Sequence, residues 1–303
     1  MHPVFIRFGE GGVPTYGVAM AAGFLAAVLL SVRAAGRQGV SVNRVLDLSF
    51  WVLLASLLGS RLAFVAVHAG EYYQLCAGVG DAARSTGQVL FDCTRALHIW
   101  EGGYVFFGGL VLSLGVSLWY TRRHGLSFPR VADVAIPPLA LGHFFGRLGC
   151  FAAGCCYGKP TGGALGVAFP RGSLAHVELA RDGKLALGAA ATMPLHPTQL
   201  YEALAELVNF VLLTVWSPRK AYHGQLLVRY LALYPVERAV IELFRGDPGR
   251  GFLARLHTPG LNSWLGLPPD SVSLVSLSQL TAVFAVAGAV VLSRYLRRRA
   301  ALA

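Results

Sequence analysis

The chain has 303 residues, of which 55% are hydrophobic and 14% are charged, and its formal net charge is +11. A soluble globular domain carries about 25% charged residues, so this composition excludes an ordinary soluble protein and indicates a polytopic membrane protein. The positive charge does not indicate a nucleic-acid partner, because the basic residues lie between apolar stretches and form no basic face on a soluble domain. No apolar stretch followed by a small-residue cleavage site opens the chain, so we expect no cleaved signal peptide.

Seven apolar stretches are long enough to cross roughly 30 Å of hydrocarbon as helices. Some of these stretches are free of charge, whereas the others carry charged side chains inside them. They cover residues 15–32, 45–67, 104–120, 131–150, 200–216, 226–244 and 274–292. The sequence therefore predicts an all-α polytopic membrane protein, with about seven transmembrane helices in a single integral membrane domain over residues 1–303.

The distribution of lysine and arginine predicts the orientation of these spans. Placing the N-terminus outside puts the densest positive charge in the short loops and the C-terminal tail on the cytoplasmic side. Residues 151–197, between spans four and five, are rich in glycine and predict a small extracytoplasmic head. Cys76 and Cys93 share the outside loop over residues 69–99, so they are the natural disulfide pair in an oxidising compartment.

Several arginines lie inside or near predicted spans, where an unpaired charge costs about 2.5 to 3.5 kcal/mol. In span six, Tyr234, Arg238, Glu242 and Arg245 recur at helical spacing on one face. One glutamate neutralises one arginine, so the second arginine is expected to seek an anion. Together with Arg147 at a similar predicted depth, these groups predict a clamp for a lipid phosphate. Buried ion pairs and, for Arg245, snorkelling to the interface are the alternatives.

The motif HPTQLYE, residues 196–202, opens span five on the same side. His196 is a candidate general base, because an imidazole titrates near neutral pH, although a histidine at a helix entry is also often structural. Pro197 fits the first position of the helix. Glu202 and Glu206 are candidate partners for the arginines in the spans.

Cys150, Cys155 and Cys156 form a second cysteine group. A structural zinc site needs four ligands, and no histidine or fourth cysteine stands at a regular offset. If the helix continues, the adjacent Cys155 and Cys156 point in different directions. We therefore predict no metal site here, and Cys150 is expected to be a small packing residue.

Four stretches then occur together: WEGGYVFFGG (100–109), GRLGCFAAGCCYG (146–158), HPTQLYE (196–202) and YPVERAVIELFRGD (234–247). Their order and spacing resemble the prolipoprotein diacylglyceryl transferase family over nearly the whole chain, and TYG (15–17) and GSRLAF (59–64) agree with it. The resemblance implies a bacterial inner-membrane enzyme that moves a diacylglyceryl group from phosphatidylglycerol to the lipobox cysteine of a prelipoprotein. Glycerol phosphate is released, and neither a metal nor an organic cofactor is implied.

The matching motifs also imply site residues. The family's essential arginines, tyrosines and glycine match Arg147, Arg238, Arg245, Tyr16, Tyr234 and Gly158. We expect catalytic roles for Arg147, Arg238, His196 and Tyr234. We expect substrate binding by Arg147, Arg245, Tyr16, Gly158, Arg61 and Glu242. The expected partners are phosphatidylglycerol, prelipoprotein signal peptides with a lipobox cysteine and membrane lipids, with no nucleic acid.

The sequence departs from the family at the position of a favoured base. Many members carry a histidine where this chain has Phe107, and Cys150 and Cys155 replace an asparagine and an acidic or amide residue of the signature. The base is then His196 or a tyrosine, or the chain is a catalytically altered or inactive paralogue that binds phosphatidylglycerol. An anion transporter is a further alternative, although no inverted repeat is visible.

Overall fold

The computed structural model describes residues 4–8, 11–77, 86–98, 102–186, 188–247, 251–268 and 270–302, and these are mostly helical. Trp100 and Glu101 of the first motif lie outside the described residues. The helices are α1 (Thr15–Arg37), α2 (Val42–Val67), α3 (Ala69–Ala77), α4 (Thr86–Thr94), α5 (Phe106–Arg123), α6 (Phe128–Ala153), α7 (Leu174–Arg181), α8 (Thr198–Trp216), α9 (Gln225–Glu242), α10 (Pro259–Trp264) and α11 (Leu277–Ala301). The strands are β1 (Val4–Phe8), β2 (Gly11–Pro14), β3 (Phe252–His257) and β4 (Val272–Ser276).

Each of the seven predicted spans contains one long helix. Within the described residues, five helices are long and apolar enough to cross a membrane: α1, α2, α6, α8 with the 3₁₀ turn that follows it, and α11. The other two, α5 and α9, are helical as predicted but fall outside this set, since α5 ends in two arginines and α9 carries several charged side chains. The five apolar helices indicate a multi-pass membrane protein.

The structure differs from the all-α prediction in two small sheets and at some helix ends. β1 pairs with β2 and β3 pairs with β4, both antiparallel. Leu274, expected at the start of the last span, lies in β4. Pro197 is the N-cap residue of α8 and not its first helical residue. α9 ends at Glu242, so Arg245 lies beyond the helix.

Contacts divide the chain into two compact units, one over Gly39–Val131 and one made of Met1–Gln38 with Ala132–Ala303. In the first unit, α2 and α5 pack through glycines, because a Cβ on Gly59 or Gly108 would collide with the backbone of the other. Such small residues let transmembrane helices approach closely. The Cys76–Cys93 disulfide joins α3 to α4 in this unit, which confirms the predicted pair.

The second unit is built around α6, α8 and α9. Their shared core contains Ala140, Leu213, Leu226 and Tyr230, one or more from each helix. A further buried cluster joins α9 to α11. α1 packs on α6, where a Cβ on Gly23 would lie 2.9 Å from the carbonyl oxygen of Gly142. Three helices that carry the motif residues are therefore held side by side.

A buried aspartate near the start of α6 fixes the start of α9. Asp133 is 1% exposed and accepts hydrogen bonds from the backbone N–H groups of Gly224 (2.8 Å) and Leu226 (2.9 Å). The ammonium of Lys220 lies 2.7 Å from the same carboxylate. This carboxylate satisfies donors at the first turn of α9 that no helical carbonyl reaches.

The segment between α6 and α8 has a small core of its own. Tyr157, Phe169, Ala175, Leu179 and Leu195 are buried together. Isolated β-bridges link its strand-like stretches, and α7 covers one part of it. Such a self-contained core explains how a glycine-rich insertion of this length holds a defined shape.

Candidate active site

A buried ion pair joins α6 to α8. Arg147 lies in the second half of α6, and Glu202 lies near the start of α8. The Nη2 atom of Arg147 is 2.7 Å from Oε1 of Glu202, and the two side chains are 17% and 1% exposed. The predicted pairing of Glu202 with an arginine in a span is confirmed. The pair fixes the direction of the guanidinium group and leaves part of it accessible.

His143, one turn before Arg147 on α6, belongs to the same site, and the sequence analysis missed it. Its Nδ1 lies 2.7 Å from Oε1 of Glu206, and its Nε2 lies 3.2 Å from Nε of Arg147. An arginine can only donate, so Nε2 accepts this hydrogen bond and Nδ1–H donates to Glu206. The His143 side chain is 23% exposed, so part of it remains accessible to a bound group.

Among the described residues, Glu206 pairs with His143 and not with an arginine, so that prediction is wrong. Its carboxylate is fully buried and accepts hydrogen bonds from His143 and from the hydroxyl of Tyr230, 3.0 Å away. Glu206 follows Glu202 by four residues, which is about one turn of α8. Consequently Glu202 reaches Arg147, while Glu206 reaches the residue one turn earlier on α6.

α9 presents Tyr234, Arg238 and Glu242 on one face, as predicted. Nη1 of Arg238 lies 2.6 Å from Oε2 of Glu242, and the guanidinium group is 17% exposed. Tyr234 stands 5.3 Å from the ring of His143 and within electrostatic range of Arg147, Arg238 and Glu202. The structure thus brings the predicted catalytic residues Arg147, Arg238 and Tyr234 together.

Arg245 follows the end of α9 and has its own carboxylate. Its Nε and Nη2 donate to the two oxygens of Asp247, at 2.6 Å and 2.5 Å. The prediction that one arginine of this stripe lacks a counter-charge is therefore wrong, since Asp247, two residues further on, supplies it. The Asp247 carboxylate outweighs the effect of burial and raises the pKa of Arg245 above its ordinary value, which keeps it charged.

Donors nevertheless remain for an anion. Among the described residues, Nη1 of Arg147 and both Nε and Nη2 of Arg238 have no hydrogen-bond partner. A planar guanidinium group with free N–H groups matches the oxygens of a phosphate ester. The arrangement can therefore bind such an ester and provides an imidazole that can take up a proton.

Tyr16 packs across the end of this site. It lies at the start of α1, is 42% exposed, and contacts α6 where a Cβ on Gly149 would sit 3.1 Å from its ring. It stands within electrostatic range of Arg147 and of the three clustered cysteines. Tyr16 therefore lies next to the part of α6 that carries Arg147, and its substrate-binding role stays a prediction.

Gly158 is enclosed by protein. Its N–H donates to the carbonyl of His196 at 2.9 Å, and the N–H of Lys159 donates to the carbonyl of Phe244 at 2.7 Å. A Cβ on Gly158 would lie 2.5 Å from Cβ and the carbonyl oxygen of His196 and 2.8 Å from the carbonyl oxygen of Phe244. There is no space for a side chain at position 158, so packing requires glycine there. The backbone of Gly158 holds Arg245 and the start of α8 in place.

His196 lies in the turn before α8 and is 9% exposed. Its Nδ1 is 3.0 Å from the hydroxyl of Tyr201, and its Nε2 is buried with no partner among the described residues. Burial, and then the charge of Lys159, lower the pKa of His196 below its ordinary value, so it is neutral at pH 7. Its ring packs on the ring of Phe244, with the centroids 5.2 Å apart.

Arg61 belongs to the Gly39–Val131 unit. It is 5% exposed, and its guanidinium group donates to the backbone carbonyls of Arg95, Ala96 and Gly102 at 2.8, 2.9 and 2.5 Å. These bonds tie α2 to the chain that leads into α5. Phe107, at the start of α5, is 67% exposed.

The cysteine group does not lie on a continuous helix, and that expectation is wrong. α6 ends at Ala153, Gly154 turns the chain with φ +77°, and Cys155 and Cys156 follow in the turn. The three sulfur atoms of Cys150, Cys155 and Cys156 lie within 4.8 Å of one another. Cys150 is buried, as predicted.

The sequence model described as "Prolipoprotein diacylglyceryl transferase" matches residues 3–295. Similar proteins named phosphatidylglycerol–prolipoprotein diacylglyceryl transferase include one from Xanthomonas campestris pv. campestris, 35% identical over 91% of this chain and 90% of that protein. Another, from Stenotrophomonas maltophilia, is 32% identical over 91% of this chain and 90% of that protein. A third, from Clostridium tetani, is 28% identical over 85% of this chain and 90% of that protein. The chain therefore belongs to the prolipoprotein diacylglyceryl transferase family.

Proposed function

We propose that this protein transfers the diacylglyceryl group of phosphatidylglycerol to the thiol of the lipobox cysteine of a prelipoprotein and releases glycerol phosphate. Family membership and the names of the relatives support the reaction. The single observation that carries it to this chain is the Arg147–Glu202 pair, with His143 against its guanidinium group and Arg238 on the facing helix. The comparisons do not favour an inactive paralogue or an anion transporter.

The reaction forms one bond and breaks one. The cysteine sulfur attacks the glycerol carbon that carries the phosphate ester, so an S–C bond forms and the C–O bond breaks. The electron pair of that bond leaves with the phosphate oxygen as a phosphate monoester. Arg147 and Arg238 bind the phosphate oxygens through their free N–H groups and stabilise the charge that grows on the leaving oxygen, where exclusion of water strengthens each contact.

The proton of the thiol goes to Nε2 of His143. Glu206 accepts from Nδ1–H and thereby fixes the tautomer that leaves the lone pair on Nε2. When the phosphate draws the donors of Arg147 towards itself, Nε2 becomes free to accept the thiol proton. This assignment replaces His196, whose Nε2 is buried, and it supplies an imidazole in a chain that has Phe107 at the family's histidine position.

The other site residues act around this centre. Tyr234 lines the site beside His143, Tyr16 closes its rim, and Arg245 binds substrate near the phosphate. Glu242 holds Arg238, while Gly158 and His196 position the segment that carries them. For Arg61 we retain the predicted substrate-binding role as a proposal.

The environment is proposed from the charge distribution and the substrate. Seven spans, including α5 and α9, cross a bacterial inner membrane with the N-terminus outside and the C-terminus in the cytoplasm. The segment between α6 and α8 then forms the extracytoplasmic head, next to the outer-leaflet headgroups from which phosphatidylglycerol is taken. The partners are this lipid, prelipoprotein signal peptides and surrounding membrane lipids, without nucleic acid.

The test uses the purified full-length protein in detergent with phosphatidylglycerol and a lipobox peptide. We expect the peptide to gain the mass of one diacylglyceryl group and an equal amount of glycerol phosphate to appear. A peptide with serine in place of the lipobox cysteine and the Arg147→Ala variant should both give no product, while Arg171→Ala, at an exposed site on the head, should keep the activity. Binding of phosphatidylglycerol without any mass gain would reject the transferase.

A further inference from the structure

Three thiols stand together at the end of α6, and nothing in the transferase reaction uses them. The Sγ atoms of Cys150, Cys155 and Cys156 lie within 4.8 Å of one another, and none of the three is in a disulfide. We call this group the three-thiol cluster. Cys150 is buried, and Cys155 and Cys156 are partly exposed, so the cluster is not fully enclosed by protein.

The backbone adopts an unusual conformation to form the cluster. Cys156 has φ +60° and is the only residue other than glycine with a positive φ among the described residues. This left-handed conformation costs a residue with a side chain about 1 to 2 kcal/mol, and such outliers concentrate at functional sites. A glycine at position 156 would avoid the cost, so the thiol there has a reason to be present.

The turn that carries the cluster is held firmly by α8. The hydroxyl of Thr198 donates to the carbonyl of Cys156 at 2.7 Å, and Nε2 of Gln199 donates to the carbonyl of Cys155 at 2.6 Å. Thr198 and Gln199 are each 1% exposed. The positions of the thiols are therefore set before any ligand arrives, as a metal site requires.

The spacing and the charges fit a soft cation. Metal–thiolate bonds of about 2.3 Å place three sulfur atoms roughly 3.8 to 4.0 Å apart, so the observed spacing needs to close by less than about 1 Å. Arg147 and Arg245 lie near Cys156, and their positive charges offset the negative charge that three thiolates and one monovalent cation carry together. In the described part of the chain no histidine or carboxylate completes a fourth position.

We infer that Cys150, Cys155 and Cys156 form a three-thiolate site for a soft, thiophilic cation that accepts three ligands, of which Cu(I) is the physiological example. Thiolate ligands select soft ions over the harder divalent ones. Binding releases the thiol protons to solvent and changes no oxidation state. The site differs from the sequence-based expectation of no metal, because that expectation placed Cys155 and Cys156 on a helix.

The test needs neither lipid nor peptide, so its outcome is independent of the proposed transferase activity. Reduced full-length protein in detergent is titrated anaerobically with Cu(I) held by a competing chelator. We expect one tightly bound copper per chain, a thiolate-to-copper absorption band, and protection of three thiols from a thiol reagent. Removing one of the three thiols should weaken Cu(I) binding by more than about 100-fold. That factor is the largest loss expected when a mutation changes only the residues that hydrogen-bond to the metal ligands.

Two variants make the result decisive. Cys156→Gly removes one thiol and also relieves the left-handed backbone, so it should fold at least as well as the parent and still lose the copper. Cys76→Ser with Cys93→Ser removes the disulfide of the other unit and should keep the copper. Copper binding that is equal in the parent and in Cys156→Gly would overturn the site, and so would a disulfide among the three cysteines that persists under reducing conditions.

Discussion

The substitution of His143 by glutamine separates proton transfer from the rest of the site. In the parent protein, Nδ1 of His143 lies 2.7 Å from the carboxylate of Glu206. The amide of glutamine keeps a donor that can reach this carboxylate, but it has no basic nitrogen at the position of Nε2. A positioned general base contributes about 10²- to 10⁴-fold to a rate. We therefore expect kcat to fall by that factor, equal to about 2.7 to 5.4 kcal/mol in activation free energy.

The assay is the rate at which the lipobox peptide gains a diacylglyceryl group, followed by mass spectrometry over a range of phosphatidylglycerol concentrations. KM for phosphatidylglycerol should change little, because Arg147 and Arg238 remain.

A matched control replaces a histidine outside the site. His257, exposed in β3, should be replaceable by glutamine without change in kcat. The assignment of the base is refuted if His143→Gln retains kcat within about threefold, or if His196→Gln and not His143→Gln lowers kcat by about 100-fold or more.

The remaining predictions concern the arginine fork and the packing. Arg147→Lys keeps a charge beside Glu202 but not the planar fork, so kcat/KM should fall about 10²- to 10³-fold in the same assay, and a change below tenfold would contradict the phosphate clamp. Gly158→Ala should lower the free energy of unfolding in detergent by at least about 1 to 3 kcal/mol, because the new Cβ would lie 2.5 Å from a backbone atom. Gly162→Ala is the control and should not lower it, because the space around Gly162 is open. Equal stability of the two variants would contradict the packing argument. Asp133→Ala removes a buried carboxylate and leaves the half-buried Lys220 and two backbone N–H groups at the start of α9 without it, so it should cost about 3 to 5 kcal/mol in the same measurement. A loss below about 1 kcal/mol would show that the start of α9 does not depend on Asp133.

The helices were predictable because hydrophobic length is a strong signal in a membrane protein. The sequence also predicted that Glu202 pairs with an arginine of a span, since a charge in an apolar span needs a counter-charge, but it did not identify Arg147 as that partner. The disulfide was predictable because Cys76 and Cys93 share one outside loop.

Other features depended on where helices end and how they rotate. Gly154 after an apolar helix is an ordinary stop signal, and interpreting it would have placed Cys155 and Cys156 in a turn. The carboxylate of Asp247 reaches Arg245 only because α9 stops at Glu242. The contact between His143 and Glu206 depends on how α6 and α8 are rotated relative to each other. The pattern of residues along one helix does not contain that information.

His143 was missed for a different reason. A lone histidine in an apolar helix is usually a packing residue, and the family's favoured histidine position drew attention to Phe107. Its spacing of four residues from Arg147 was the available signal, because side chains one turn apart on a helix meet.

The most direct test of the proposed chemistry follows the oxygen atom that bridges the diacylglyceryl carbon and the phosphorus. Phosphatidylglycerol labelled with oxygen-18 at that position is incubated with the full-length protein and the lipobox peptide, and both products are weighed by mass spectrometry. Attack of sulfur on the glycerol carbon predicts that all of the label leaves in glycerol phosphate and none enters the peptide. Label in the lipidated peptide, or no lipidated peptide at all, would contradict it.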